Sequence, residues 1–189
     1  MFDMPGVSPE IRAKAQLRIR KQVERISDIL IFTQGAKPDA NLKSADYRAF
    51  MLELIGDLRA EAELKSAQIE MQNVPPAVRV PFDPRRLSRV FFNLVGNATD
   101  VMLNGGKIFL RFQSSESEIV TEVEDTGPGI APEIADKLFQ PFTTHGKAHG
   151  TGLGLSICKK IIEDHGGKIS VRSEAGRGAI FCFTLPLAK

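Results

Sequence analysis

Asn93, Asn97 and Asp100 sit at i, i+4 and i+7, so on a helix two amides and a carboxylate share one face. Their neighbours Val90, Phe91, Leu94, Val95 and Ala98 are apolar enough to bury most of such a helix. Downstream, Asp125-Thr126-Gly127-Pro128-Gly129 places two glycines close to a carboxylate. The glycines let the backbone approach a flat ligand, and the carboxylate can accept from an exocyclic amine; a plain Asp-started turn is the alternative.

Gly150-Thr151-Gly152-Leu153-Gly154-Leu155 runs into a helical pattern, and exposed N–H groups at such a start make an anion site. A flexible connecting loop is the simpler alternative. The spacing is not that of a P-loop, and no buried strand precedes it, which disfavours a dinucleotide fold. Between the two glycine clusters lie Phe139 and Phe142, expected to anchor a loop, then Thr143, Thr144 and Lys147. Small and polar residues suit a lid. Lys147 is in reach of a terminal phosphate, unless it is an ordinary solvated lysine.

The elements that position these groups follow from periodicity. Ser8-Pro9-Glu10 reads as a helix start, and the helix runs to about Gln34 with an apolar seam at Ala15, Ile19, Val23, Ile26 and Leu30. Residues 35–46 read as a linker, and Tyr47 to about Lys65 as a second amphipathic helix. Two short strands flank Pro75-Pro76. Asp83 caps the asparagine helix, and Asn104-Gly105-Gly106 ends it. Strands are predicted near 107–112, 118–124, 168–173 and 179–185, with a helix from about Gly152 to Glu163. Helices interleaved with antiparallel-looking strands give an α+β, two-layer sandwich.

The chain has 189 residues and a net charge of +2, enough for one domain plus an appendage. There is no basic field of the kind that marks a nucleic-acid binder. No apolar run approaches the roughly 18 residues of a membrane span, and MFDMPGVSPE lacks the pattern of a signal peptide. Cys158 and Cys182 read as small buried hydrophobes in a reducing compartment.

Taken together, the pieces resemble the nucleotide-binding fold shared by histidine kinases, DNA gyrase, MutL and the Hsp-type chaperones, and most closely the histidine-kinase version. Phe92 to Ala98 is similar to its N box, Asp125 to Ile130 to the first G box, Phe139 to Phe142 to the F box, and Gly150 to Ile157 to the second G box. The resemblance spans about Leu42 to Leu187. It implies a mixed sheet packed on helices in a Bergerat-type fold, preceded by a long N-terminal helix. It also implies ATP and Mg²⁺ as cofactors, Asn97 as metal ligand and Asp125 as acceptor for the adenine amine. Asn93, Asp100, Gly127, Gly129, Ile130, Thr143, Thr144, Lys147, Gly150, Thr151, Gly152, Leu153, Gly154 and Leu155 complete the expected nucleotide site. Asn93, Asn97 and Lys147 are the expected catalytic set.

Asn93 stands where the gyrase and chaperone branch places a glutamate that activates water. An amide cannot serve as a general base, so water attack should be slow and the acceptor must bring its own nucleophile. None of His145, His149 and His165 has the context of the family's phosphoacceptor. His165 follows a helix, whose dipole favours the cation. The resemblance thus implies a partial dimerisation helix and linker (1–40) and a catalytic domain (41–189). The whole would be a C-terminal piece of a cytoplasmic or membrane-anchored sensor kinase that transfers phosphate to a histidine outside this chain. Expected partners are the kinase's own dimerisation hairpin, a response regulator and, in the full-length protein, a second copy; neither nucleic acid nor membrane contact is expected for this segment. A serine/threonine kinase and a degenerate scaffold on the same fold are the alternatives. Intact Asn97, Asp125, Gly152 and Gly154 argue against the scaffold, and the seam helix favours the histidine kinase.

Overall fold

The computed structural model describes residues 42–143 and 152–188, and among these, two aspartates start the two longest helices. These residues fall within one compact unit, Pro38–Lys189. The expected helix of residues 8–34 lies outside the described residues. Asp46 accepts from Ala49 N at 3.0 Å and opens α1, Tyr47–Glu63. Its buried residues Tyr47, Met51, Leu54, Ile55, Leu58 and Ala62 form one stripe at helical spacing. Asp83 accepts from Arg85 N at 2.9 Å and Arg86 N at 3.2 Å, with Pro84 opening α2, Pro84–Val101. The missing proline N–H costs nothing in that first turn.

Residues 43–46, read as linker, form a strand instead. β1, Lys43–Asp46, pairs antiparallel with β3, Arg79–Phe82. Lys43-Ser44-Ala45-Asp46 has no β-branched residue to betray it. The partner strand holds it: Arg79 Nη2 donates to Ser44 O at 2.6 Å and Arg79 Nε to Ser44 Oγ at 3.1 Å.

The main sheet contains β2 (Ala67–Met71), β4 (Gly106–Ser114), β5 (Glu118–Asp125), β6 (Ile169–Ser173) and β7 (Ala179–Pro186). Its order is β2-β4-β5-β7-β6. β2 and β4 run parallel and all other neighbours antiparallel. Alternation sorts the faces. Ile108, Leu110 and Phe112 of β4, Ile119, Thr121, Val123 and Asp125 of β5, and Phe181, Phe183 and Leu185 of β7 are buried. They meet α1, α2 and α4 (Gly154–Asp164), so the α+β two-layer architecture is as expected. A short turn of helix, α3 (Pro132–Ala135), precedes the F-box segment.

The opposite face of the sheet is charged. Lys107 pairs with Glu70 at 2.7 Å, Arg172 with Glu122 at 2.6 Å, and Arg111 with both Glu122 and Glu124. On the buried face, Tyr47 OH and Thr121 Oγ1 meet at 2.7 Å, both fully buried. Rings of Tyr47, Phe50, Phe82, Phe91, Phe112 and Phe183 pack around them. Among the described residues no helix is long and apolar enough to cross a membrane.

Candidate functional site

α2 and α4 lie side by side and antiparallel. Arg86 pairs with Asp164, Cys158 Sγ meets Val90 O at 3.9 Å, and a Cβ on Gly154 would lie 3.4 Å from Asn93 Oδ1. The register therefore runs from 86 against 164, through 90 against 158, to 93 against 154. The next two turns of α2 carry Asn97 and then Asp100 past the start of α4. The amide row and the second glycine cluster are thus brought together by helix packing across some sixty residues of sequence.

Asn93 is half-buried, and its Nδ2 is wholly buried without a hydrogen-bond partner among the described residues. A buried donor left unpaired is costly and calls for a ligand or water to satisfy it. Across from it, burial pushes the Cys158 thiol up to about 12, partly opposed by the Asn93 side chain. The half-buried Asn97 follows one turn on. Asp100 forms an ion pair with Lys65, which also donates to Thr99 Oγ1 at 3.0 Å. Lys65 comes from the turn after α1, and no sequence pattern linked it to this row.

Asp125 is the last inward-facing residue of β5 and only 5% exposed. Its carboxyl is raised above the ordinary range by burial. Hydrogen bonds from the backbone N–H of Gly127 and Ala179 oppose that rise, and the charge of Glu124 adds to it. Gly127 N donates to Asp125 Oδ1 at 2.8 Å. The glycines of this loop make room first for the protein itself. A Cβ on Gly127 would lie 2.7 Å from Asp125 Oδ1 and 3.1 Å from Val101 Cγ2, and one on Gly129 would lie 2.4 Å from Glu174 O. The half-buried Ile130 packs on the core and donates its N–H to Ser173 Oγ at 2.9 Å.

Gly178 closes this corner. At φ +82°, it lies so near β5 that a Cβ would stand 1.8 Å from Asp125 O. Neither Gly178 nor Ser173, whose Oγ donates to Gly178 O at 2.7 Å, is among the residues of the expected nucleotide site.

The second cluster is described from Gly152 onward. Gly152 has φ +67°, and a Cβ there would lie 2.5 Å from the carbonyl carbon of Phe142 and 2.8 Å from Thr143 N. The two ends of the intervening loop therefore touch. Leu153 and Leu155 turn into the core, leaving the backbone of α4's first turn, which no described side chain caps. Phe139 packs against the core, as an anchor should. Phe142 does not: it is 66% exposed at φ +64°. The close approach of Gly152 to its backbone requires that turn, and the turn throws the ring outward. Thr144, Lys147, Gly150 and Thr151, with His145 and His149, lie outside the described residues.

His165 differs from expectation. It is 1% exposed, its Nδ1 bonds Ile161 O at 2.6 Å, and its Nε2 accepts from Asp83 N at 3.0 Å. Burial lowers its pKa below the usual 6.5. Desolvation outweighs the helix dipole, and the ring is neutral. Cys182, expected to be buried, is only partly so.

Residues 82–189 match the family described as histidine kinase-, DNA gyrase B- and HSP90-like ATPase. Sporulation kinase E of Bacillus subtilis (strain 168) is 34% identical over 172 residues, covering 89% of this chain. Sensor protein SrrB of Staphylococcus aureus is 44% identical over 111 residues, covering 56% of it. The chain spans only 23% and 19% of the lengths of these curated relatives. The structure superimposes on full-length ShkA in complex with AMPPNP with a TM-score of 0.77 at 27% identity, over 97% of this chain and 40% of ShkA. It also superimposes on the nucleotide-free catalytic domain of the histidine kinase ThkA with a TM-score of 0.65 at 33% identity, over 77% of this chain and 97% of ThkA.

The chain belongs to the histidine kinase-, DNA gyrase B- and HSP90-like ATPase family. Its relatives place it on the sensor-histidine-kinase branch and do not favour a serine/threonine kinase.

Proposed function

We propose that this chain is the catalytic, ATP-binding part of a two-component sensor kinase that passes the γ-phosphate of ATP to a histidine outside the chain. The observation that carries the reading is Asp125: a buried carboxylate held by two backbone N–H groups, with acceptor capacity left for an amine. Asn93, Asn97 and the first turn of α4 would hold the other end of the nucleotide.

The residues fit Mg²⁺. Asn97 offers a hard amide oxygen, and no group of three or more His, Cys, Asp or Glu among the described residues could hold a metal by itself. The nucleotide's phosphates and water would complete the shell, which suits Mg²⁺. When bound, the ion neutralises charge on the phosphate oxygens. Asn97 would hold it, Asn93 Nδ2 would be satisfied by a phosphate or an ordered water, and the N–H groups of Gly152 and Gly154 would bind the phosphates. Thr143, Thr144 and Lys147, with Gly150 and Thr151, would also contact them. Asp100, paired with Lys65, would act through water near the adenine or the metal, or else cap local structure. With Asn93 unable to take a proton, the site suits an acceptor that needs no activation, such as an imidazole.

Residues 1–40 then belong to a dimerisation hairpin and linker, and 41–189 to the catalytic domain. The hairpin of its own kinase, a response regulator and a second copy are the partners, with this segment in the cytoplasm. The test is transfer of labelled γ-phosphate to a supplied hairpin carrying a histidine. Acid-labile label on the hairpin, and none on this chain alone, is expected. Acid-stable label would point to a serine/threonine kinase, and label on neither with ATP bound would point to a scaffold.

A further inference from the structure

The α2/α4 pair has two ends. One carries Asn93 and Gly154; the other is closed by His165. Asp83, which caps α2 with its carboxylate, gives its own N–H to His165 Nε2, while Nδ1–H donates to Ile161 O in the last turn of α4. A ring that donates at one nitrogen and accepts at the other is the neutral Nδ1–H tautomer. Beside it Arg86 pairs with Asp164, which also takes Lys160 at 2.5 Å.

We propose that His165 is a positioning residue for nucleotide binding: its bridge between Asp83 and Ile161 sets the angle between α2 and α4, and so the spacing of the asparagine row from the glycine-rich start of α4. This rests on the nucleotide reading above. The lever is long enough to matter. α4 has 11 residues, so it extends about 16 Å, and a tilt of about 5° moves its far end by more than about 1 Å. Displacements of that size are enough to spoil a preorganised site.

The bridge exists in one protonation state. A proton on Nε2 would face the Asp83 N–H, donor against donor. Among the described residues, the charged groups acting on the ring are Arg86 and Asp83 from the start of α2 and Asp164 from α4. Burial is the largest influence and, with Arg86, disfavours the cation; the two carboxylates favour it. Because the folded pKa lies below the unfolded 6.5, the bridge's contribution is complete above pH 6.5. It is lost as pH falls through the depressed value.

The experiment titrates ADP with Mg²⁺ into the full chain between pH 7.5 and 5. It compares wild type, His165→Phe, which fills the site without polar atoms, and His165→Gln, whose amide oxygen can accept from Asp83 without titrating. At pH 7.5 the Phe variant should bind about three- to tenfold more weakly. The wild type should converge on it as the ring protonates. The Gln variant should recover part of the affinity and lose the His165-dependent part of the pH profile; titration of Asp125 is common to all three and cancels in the ratios. Should the Phe variant not fold, the Gln variant and the wild-type profile carry the comparison. Equal affinities for wild type and Phe across the range, or a Gln variant as weak as Phe at pH 7.5, would overturn the proposal alone. Failure of the wild type to bind any adenine nucleotide at millimolar concentration would overturn the functional reading and this proposal with it.

Discussion

Gly127 N–H donates to Asp125 Oδ1 at 2.8 Å, so the first residue able to satisfy the buried carboxylate comes from its own loop. A second backbone N–H, from Ala179, reaches it from β7. The strand that carries the acid and the strand beside it hold the group for a third donor.

That third donor sets the first expectation. An adenine amine bonded to an ionised carboxylate contributes roughly 1.5–3 kcal/mol. Asp125→Asn should therefore weaken ADP binding about ten- to a hundredfold, as read by calorimetry. The pH dependence has a definite sign. Burial raises the Asp125 pKa above 3.8, so the folded state holds this proton more readily than the unfolded chain. Acidification through the raised pKa relieves a burial penalty, and this group's effect on stability improves as pH falls. Nucleotide affinity moves the opposite way, because the amine needs the anion. In Asp125→Asn, both dependences should flatten.

Asn97→Ala removes the amide oxygen proposed for the metal. ADP affinity of the wild type should rise on adding Mg²⁺, whereas that of the variant should be nearly indifferent to it. A variant as Mg²⁺-sensitive as wild type would exclude Asn97 as ligand. Comparing the two titrations with EDTA present separates the metal's contribution from general loss of the site.

Gly176 and Gly178 form an internal control for close approach. Both have positive φ, but a Cβ on Gly176 meets nothing within 4 Å, whereas one on Gly178 would lie 1.8 Å from Asp125 O. Gly176→Ala should cost about 1 kcal/mol of stability from backbone strain alone. Gly178→Ala adds a backbone collision and should cost about 2 kcal/mol or more. Urea unfolding reads the difference, and nucleotide binding should fall only for Gly178→Ala.

Tyr47→Phe leaves the ring in place and strands the Thr121 hydroxyl among fully buried neighbours. A loss of about 1–3 kcal/mol is expected in urea unfolding. The Tyr47→Phe, Thr121→Val pair should recover part of it, because neither buried polar atom then lacks its partner.

Thiol chemistry distinguishes the two cysteines. Cys158 is buried with its pKa pushed up to about 12, so little thiolate exists at neutral pH. Cys182 is also raised, by burial and then by Glu122, but is only partly buried. Iodoacetamide should label Cys182 slowly and Cys158 only under unfolding conditions. Mass spectrometry of the digest checks the order.

What could be read from the chain before folding was whatever chemistry ties to residue type. The asparagine row, Asp125 and the glycines stand out because few other residues serve there, and Asp83 announces the helix it caps. Contacts between distant segments were hidden. Nothing in His165-Gly166-Gly167 points to Asp83, and without that partner the helix dipole suggested the wrong charge. Asp100 gave no hint of Lys65. Lys43-Ser44-Ala45-Asp46 became a strand only because Arg79–Phe82 lies alongside. Phe142 passed for an anchor because its exposure follows from Gly152, ten positions on.

The ladder of Glu70, Lys107, Arg111, Glu122, Glu124 and Arg172 on the sheet's outward face makes the domain two-sided in character. Another copy laid flat on that face would have to strip water from ions on both partners, at a cost their mutual attraction rarely recovers. Flat stacking, the hazard of any broad sheet, is thereby discouraged, and encounters with other macromolecules are steered toward the helical side.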